Sequence, residues 1–399
     1  MIKKIHLQNF FSFQDEEINL DPNENILIGI NGSGKTNLLK GLKILQSAVS
    51  GDGIKKLIYD QWGGFDAIRF HDRSSNAPIK LIFQFDHKII RSYGFEFIED
   101  IFYSLTINKT PHSSNYNLSE KVYLPRAGQQ KDWIYLEFDK GNGVIFEKEE
   151  GFEKPKLIRY VDLDPQESAL GKIYEPDRYY ALSTIKKALS EIIVYDYFDT
   201  TPTSKIRKPV LPTSESRLYS DGSNLPQVLN TIKINDKVNF KKIKELLSNV
   251  NEKYDGFDFN LVGGNIELML EENGLNQSIH VTHVSDGTLR FLCLLAIFFN
   301  RNRGNLVCID EPEVGLHPDM IKTVCESIKE TSDNTQYLIA THSEHILDSF
   351  EIQNVRVFEK DKNNATQVKE FAVKDFEEWY DSFGLGRMWR QGDFGGNRW

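Results

Sequence analysis

The sequence predicts an α/β fold: a mixed sheet carrying a phosphate-binding loop, a β-rich N-terminal lobe and an inserted α+β/helical lobe. Three observations lead there. A glycine-rich loop joins a buried strand to a helix within residues 26–40. A buried strand at 306–309 ends in two adjacent acids, and another at 337–340 ends at a histidine.

In chain order, residues 2–9 alternate apolar and polar like a strand, 26–30 form a short buried strand, and a helix starts near Lys35. Short β-like runs follow at 81–85, 122–124 and 133–138, with a loop rich in Asn, Ser and Thr expected over 106–119. No heptads appear in this stretch, so a long coiled-coil arm is not expected. A helix over 176–189 leads into a strand at 192–195, and a loop rich in Pro, Ser and Thr covers 199–216. Residues 239–250 read as an amphipathic helix, and 257–261 with 266–270 as a hairpin around Gly263-Gly264. The division expected is 1–75 and 201–370 for the two parts of the nucleotide-binding unit, 76–200 for the insertion and 371–399 for a tail.

Composition narrows the function. Apolar residues make up 40% of 399, enough for a substantial core. The longest apolar stretch, 291–299, is about half of the ~20 residues that span a bilayer, so it reads as a buried helix. No signal-peptide core opens the chain, and Cys293, Cys308 and Cys325 match no zinc spacing. A cytoplasmic protein with no membrane partner is expected. The net charge of −10 gives no support for a nucleic-acid partner, because phosphate neutralisation requires a basic surface. Lys233, Lys237, Lys241, Lys242 and Lys244 read as a solvated helix face rather than as a DNA groove.

The chemistry starts at Gly29-Ile30-Asn31-Gly32-Ser33-Gly34-Lys35-Thr36, which matches the P-loop pattern at every fixed position. Glycines let backbone N–H groups curl around phosphate oxygens, and the helix N-terminus adds partial positive charge. Lys35 is expected on the β- and γ-phosphates and the Thr36 hydroxyl on Mg2+, with Asn37 next in the nucleotide site. Two carboxylates ending a buried strand are costly unless they meet a cation or solvent. Asp310 is therefore expected to hold the metal, and Glu311 to act as general base on the attacking water. His342 follows the strand at 337–340 and is expected to contact the γ-phosphate or that water. Ser285-Asp286-Gly287 precedes an apolar helix, where a hydroxyl and bare amides form a second anion cradle.

In this order the P-loop, Ser285-Asp286-Gly287, 306–311, Pro312-Glu313-Val314-Gly315-Leu316-His317-Pro318 and Ala340-Thr341-His342-Ser343 resemble an ABC-type ATPase head, a stand-alone AAA-type ATPase of the RecF-like and OLD-like group. The resemblance covers about 1–70 and 205–370. It implies a homodimer with ATP sandwiched at the interface, Ser285 and Gly287 of one copy closing over the γ-phosphate held by another, and Gly315 to Pro318 at the same interface. It implies ATP and Mg2+ as ligands and a nucleotide-driven switch, with a separate effector protein of TOPRIM-like nuclease type as in phage-defence loci. The alternative it leaves is a RecF-like DNA-repair ATPase. Residues 343–399 leave no room for a TOPRIM domain, so no nuclease activity is expected of this chain alone. The sequence departs from the group at Phe11, where relatives carry a basic residue, and the glutamine linking the lobes falls at Gln61 or Gln84. The tail, with Trp389, Trp399, Arg387, Arg390 and Arg398 among glycines, is expected to form neither helix nor strand, and either wraps its own domain or docks a partner. A transporter subunit is disfavoured by the long insertion, and a non-catalytic scaffold by the intact Glu311.

Overall fold

The computed structural model describes residues 1–71, 77–125, 132–147, 156–173, 175–372 and 384–392. The described strands form three sheets. The first is antiparallel throughout, in the order β2 (Phe13–Asn19), β1 (Ile2–Phe10), β4 (Ile79–Phe85), β5 (Ile101–Lys109), β6 (Tyr116–Leu124), β7 (Trp133–Asp139), β8 (Asn142–Glu147), β9 (Lys156–Tyr160). β1 pairs with β4, so strands on either side of residue 76 share one sheet. The second runs β10 (Ile192–Tyr195), β14 (Leu306–Asp310), β15 (Gln336–Ala340), β3 (Glu24–Gly29), β16 (Val355–Lys360), β17 (Thr366–Glu370), parallel except for the last strand. The third is small: β11 (Tyr254–Val262), β12 (Asn265–Glu272) and β13 (Ile279–His280).

The parallel sheet is buried on both faces, which is why its strands read as continuous apolar runs. Leu27, Leu306, Cys308, Leu338 and Ala340 face one core with the first sheet and with α1 (Lys35–Val49) and α2 (Tyr180–Ser190). Ile26, Ile28, Val307, Ile309, Tyr337 and Ile339 face the other. There they meet α3 (Leu225–Asn235), α4 (Lys237–Val250), α5 (Asp286–Phe298) and α6 (Pro318–Thr331). α1 turns Leu38, Leu39, Leu42, Leu45 and Ala48 to the first core, a helical spacing that fixes its rotation under the P-loop. Among the described residues, no helix is long and apolar enough to cross a membrane.

Two polar staples hold the layers. Gln336 on β15 accepts from the Ile2 amide at 2.9 Å, and its Nε2 donates to the carbonyls of Ile2 at 2.8 Å and Asp21 at 2.7 Å. Glu120 points into the first core from β6. It accepts from the Tyr103 hydroxyl at 2.7 Å, the Ser168 hydroxyl at 2.8 Å and the Ala169 amide at 2.6 Å. Burial pushes its carboxyl above the usual range, and these donors pull the other way.

The structure corrects two sequence expectations. The loop expected over 106–119 shrinks to 110–115, because alternate residues Leu105, Ile107, Tyr116 and Leu118 extend β5 and β6 across the core. Part of the tail forms a helix, α7 (Leu385–Gln391), with Leu385, Met388 and Trp389 buried in the second core. Gly386 allows this approach: a Cβ there would lie 2.8 Å from the Glu344 carbonyl, and its amide donates to Asp348 at 2.6 Å. The rest of the tail, including Trp399 and Arg398, lies outside the described residues.

Glu120→Ala strands the Tyr103 hydroxyl, the Ser168 hydroxyl and the Ala169 amide in the core. The expected cost is about 3–5 kcal/mol, seen as a lower urea midpoint at unchanged slope, with Glu120→Gln losing markedly less.

Candidate functional site

The site forms where three neighbouring parallel strands end. β15 lies between β14 and β3, with Asp310 opposite Ala340 and Ala340 opposite Leu27. Chain segments separated by about three hundred residues thus bring their carboxyl ends side by side, the usual place for a ligand in a parallel sheet.

The loop after β3 is shaped by glycine. Gly32 and Gly34 hold φ of +78° and +116°, and a Cβ on Gly34 would lie 2.3 Å from the Thr366 hydroxyl. That hydroxyl donates to the Ser33 carbonyl at 2.6 Å and contacts Ser12 Oγ at 2.7 Å, so the β16–β17 hairpin bolts the loop in place. Asn37 spends its side chain on the same Ser12 hydroxyl at 2.9 Å. Asn31 and Gly32 are exposed at the tip, and the buried Ser33 hydroxyl has no hydrogen-bond partner among the described residues.

Lys35 is 95% buried yet makes no ion pair among the described residues. Its ammonium donates to the Gly29 carbonyl at 2.8 Å and lies 2.9 Å from His342 Nε2. Burial lowers its pKa to about 8, against the pull of Asp310, Glu311 and Glu313. A buried cation with only carbonyl and imidazole partners is a receptor for an anion. Burial and then the Lys35 charge hold His342 below its ordinary pKa, so its neutral Nε2 can accept from Lys35.

The Thr36 hydroxyl donates to Asp310 Oδ2 at 2.8 Å. Burial raises the Asp310 carboxyl, and this hydrogen bond partly offsets it. Glu311 adopts φ of +49°, uncommon for a side chain of its type, while its amide stays on the Ala340 carbonyl at 2.8 Å. Its Oε1 lies 3.5 Å from His342 Nε2. Behind them the half-buried Glu313 accepts from the Thr341 hydroxyl at 2.7 Å and from the His342 amide at 2.8 Å, setting the histidine loop. These residues fit Mg2+ with a triphosphate: Thr36 and Asp310 supply hard oxygen donors, Lys35 an unpaired charge and the loop its amides.

Ser285 and Gly287 sit in a second constellation, sharing no hydrogen bond with the P-loop. Ser285 caps α5, accepting from the Thr288 amide at 3.2 Å. Gly287 packs so tightly on the next loop that a Cβ would lie 2.6 Å from the Gly315 carbonyl. Arg290, one turn on, donates to the Val314 carbonyl at 2.9 Å and lies over the Tyr197 ring.

Sequence reasoning placed the P-loop, Asp310, Glu311 and His342 in one site, and the structure brings them together. It gave no role to Ser12, Thr366, Glu313 or Arg290. Only Glu313 carried a signal, lying two residues past Glu311; the others act across long sequence separations. Of the two glutamines considered, Gln84 is committed to Asp100 at 3.0 Å, and Gln61 is exposed with no hydrogen bond to the site. Phe11 packs edge-on to Trp62, with Lys40 lying 4.2 Å above its ring.

A family model described as "AAA domain, putative AbiEii toxin, Type IV TA system" matches residues 25–348. The chain is 24% identical over 396 residues to the "Retron Ec83 probable ATPase" of Escherichia coli, covering 89% of this chain and 70% of that protein. It is 21% identical over 395 residues to an "ATP/GTP phosphatase" of Helicobacter pylori, covering 95% and 94% respectively. Among solved structures, an Smc head bound to the C-winged helix domain of ScpA superposes with a TM-score of 0.60 at 12% identity. It covers 94% of this chain and 99% of the Smc chain, which shows a shared fold.

Gly34→Ala puts a methyl group against Thr366 on a backbone that side chains avoid. The strain, about 1–3 kcal/mol, is relieved only by moving the loop. Affinity for a fluorescent ATP analogue is expected to fall by at least about tenfold.

Proposed function

The chain belongs to the P-loop ATPase family described as "AAA domain, putative AbiEii toxin, Type IV TA system", and from that premise we propose that it hydrolyses ATP with Mg2+ at composite sites formed by two copies. The observation that carries this reading is the meeting of Lys35, Thr36, Asp310, Glu311 and His342 at three adjacent strand ends, while the Ser285–Gly287 turn is tied to Gly315 instead.

In this reading the loop amides and Lys35 bind the β- and γ-phosphates, and Thr36 with Asp310 holds the metal. Bound Mg2+ neutralises charge on the phosphates. Glu311 takes the proton of the attacking water, and His342 accepts from Lys35 beside it, keeping the ammonium in place. The Ser285 hydroxyl and Gly287 amide of a second copy close over the γ-phosphate. ATP then stabilises the dimer, and its hydrolysis releases it.

The dimer acts as a switch on a separate effector protein, the arrangement implied by the resemblance to OLD-like ATPases. The reading puts the chain in the cytoplasm, where ATP is available. DNA repair is the weaker alternative, because the net charge is −10 and most of the lysines around α4 are paired: Lys233 with Asp258, Lys242 with Glu330 and Lys244 with Glu271.

Glu311→Gln is expected to bind ATP and accumulate a dimer by light scattering, with turnover reduced by at least about a hundredfold. Ser285→Arg is expected to keep single-site nucleotide binding and lose both dimer and turnover; undiminished turnover would rule out a composite site. Lys35→Ala is expected to lose nucleotide binding, and tight ATP binding by that variant would contradict the P-loop assignment.

A further inference from the structure

The Ser285–Gly287 turn carries an electrostatic contradiction. It offers a hydroxyl, amides and a helix N-terminus suited to an anion, yet its middle residue is Asp286, whose side chain is 58% exposed. A carboxylate in the first turn favours the helix dipole but repels a triphosphate arriving at the same place.

Arg207 answers that contradiction. Its side chain is only 5% exposed, and both terminal nitrogens are spent on the turn or its approach. Nη2 donates to Asp286 Oδ1 at 2.6 Å. Nη1 donates to the carbonyls of Val281 at 2.8 Å and Val284 at 2.7 Å, and Nε to the Thr200 carbonyl at 2.9 Å. The Val284 carbonyl immediately precedes Ser285, so the guanidinium fixes the short helical turn at Val281–His283 that leads into it as well as the acid within it. A planar, always-charged fork can hold these partners at once, which a lysine cannot.

We propose that Arg207 is a positioning residue for the half-site that one copy lends to another: it neutralises Asp286 and draws its carboxylate aside, leaving the Ser285 hydroxyl and Gly287 amide to meet a γ-phosphate. This rests on the composite-site reading above. Arg207 touches no nucleotide in either copy. Its effect falls on closure between copies, and the P-loop of its own chain binds nucleotide without it.

The test is ATP-driven dimerisation of the full chain in a Glu311→Gln background, followed by analytical ultracentrifugation, beside titration of a fluorescent ATP analogue as a report on folding and the P-loop. Arg207→Met is expected to weaken dimerisation by at least about tenfold while analogue binding holds. Adding Asp286→Asn to Arg207→Met is expected to restore most of that loss, since the unpaired charge is gone. Asp286→Ala with Arg207 intact leaves the buried cation on its four backbone carbonyls and is expected to dimerise at least as tightly as the parent. This single change tests the idea even if Arg207→Met does not fold. Weaker dimerisation by Asp286→Ala, or no recovery in the double variant, would overturn the proposal. A Glu311→Gln parent that stays monomeric with ATP would instead overturn the composite site itself.

Discussion

The buried ammonium of Lys35 is the constraint around which the rest of the site is arranged. Removing a charge from water costs several kcal/mol unless a partner of opposite sign is supplied. Here two carbonyls and an imidazole are the direct contacts, and two of the three nearby acids, Asp310 and Glu313, are engaged elsewhere. Asp310 takes the Thr36 hydroxyl, Glu311 faces His342, and Glu313 takes Thr341 and the His342 amide. Had any of these carboxylates paired with Lys35, the cradle would be satisfied without a ligand. Keeping them close but committed leaves the cation to a triphosphate and the acids to its metal and water.

That arrangement requires a sheet buried on both faces. Helices and the first sheet cover β14, β15 and β3, and the chain reaches the surface just past their carboxyl ends, where Asp310 is half-buried and Glu311 exposed. The β16–β17 hairpin continues the sheet past β3 and sends Thr366 back to the Ser33 carbonyl. Gln336, at the other end of β15, ties the sheet to Ile2 and Asp21. The strand that ends at the histidine is therefore anchored at its start to the first layer.

What was legible in the sequence was the chemistry that lies within a few residues. Gly29 to Thr36 must be contiguous because one turn has to surround the phosphates, and Asp310 with Glu311 must end a strand because buried acids need an outlet. The mixed α/β fold and the ABC-class assignment followed from such segments and agree with the matched family and the Smc-head fold. What was not legible depends on distant partners. In the sequence nothing local singles out Arg207, within the segment 199–216, Thr366, or Glu120, between a serine and a lysine. Their roles appear only when residues 17 to 333 positions apart come together. α7 was missed for a related reason: glycine argues against a helix locally, but Gly386 is what lets this one approach residues 344–348.

The central claim is that each nucleotide is held by one copy and completed by another. Mixing two disabled chains tests it directly. A Lys35→Ala copy keeps a working Ser285 turn, and a Ser285→Arg copy keeps a working P-loop and Glu311, so only a mixed pair contains one complete site. Each chain alone should release no phosphate, while an equal mixture should recover turnover up to about half of the unmodified rate, because the mixed pair is the one ATP can hold together and it has one complete site of two. A mixture as inactive as its components would contradict the account.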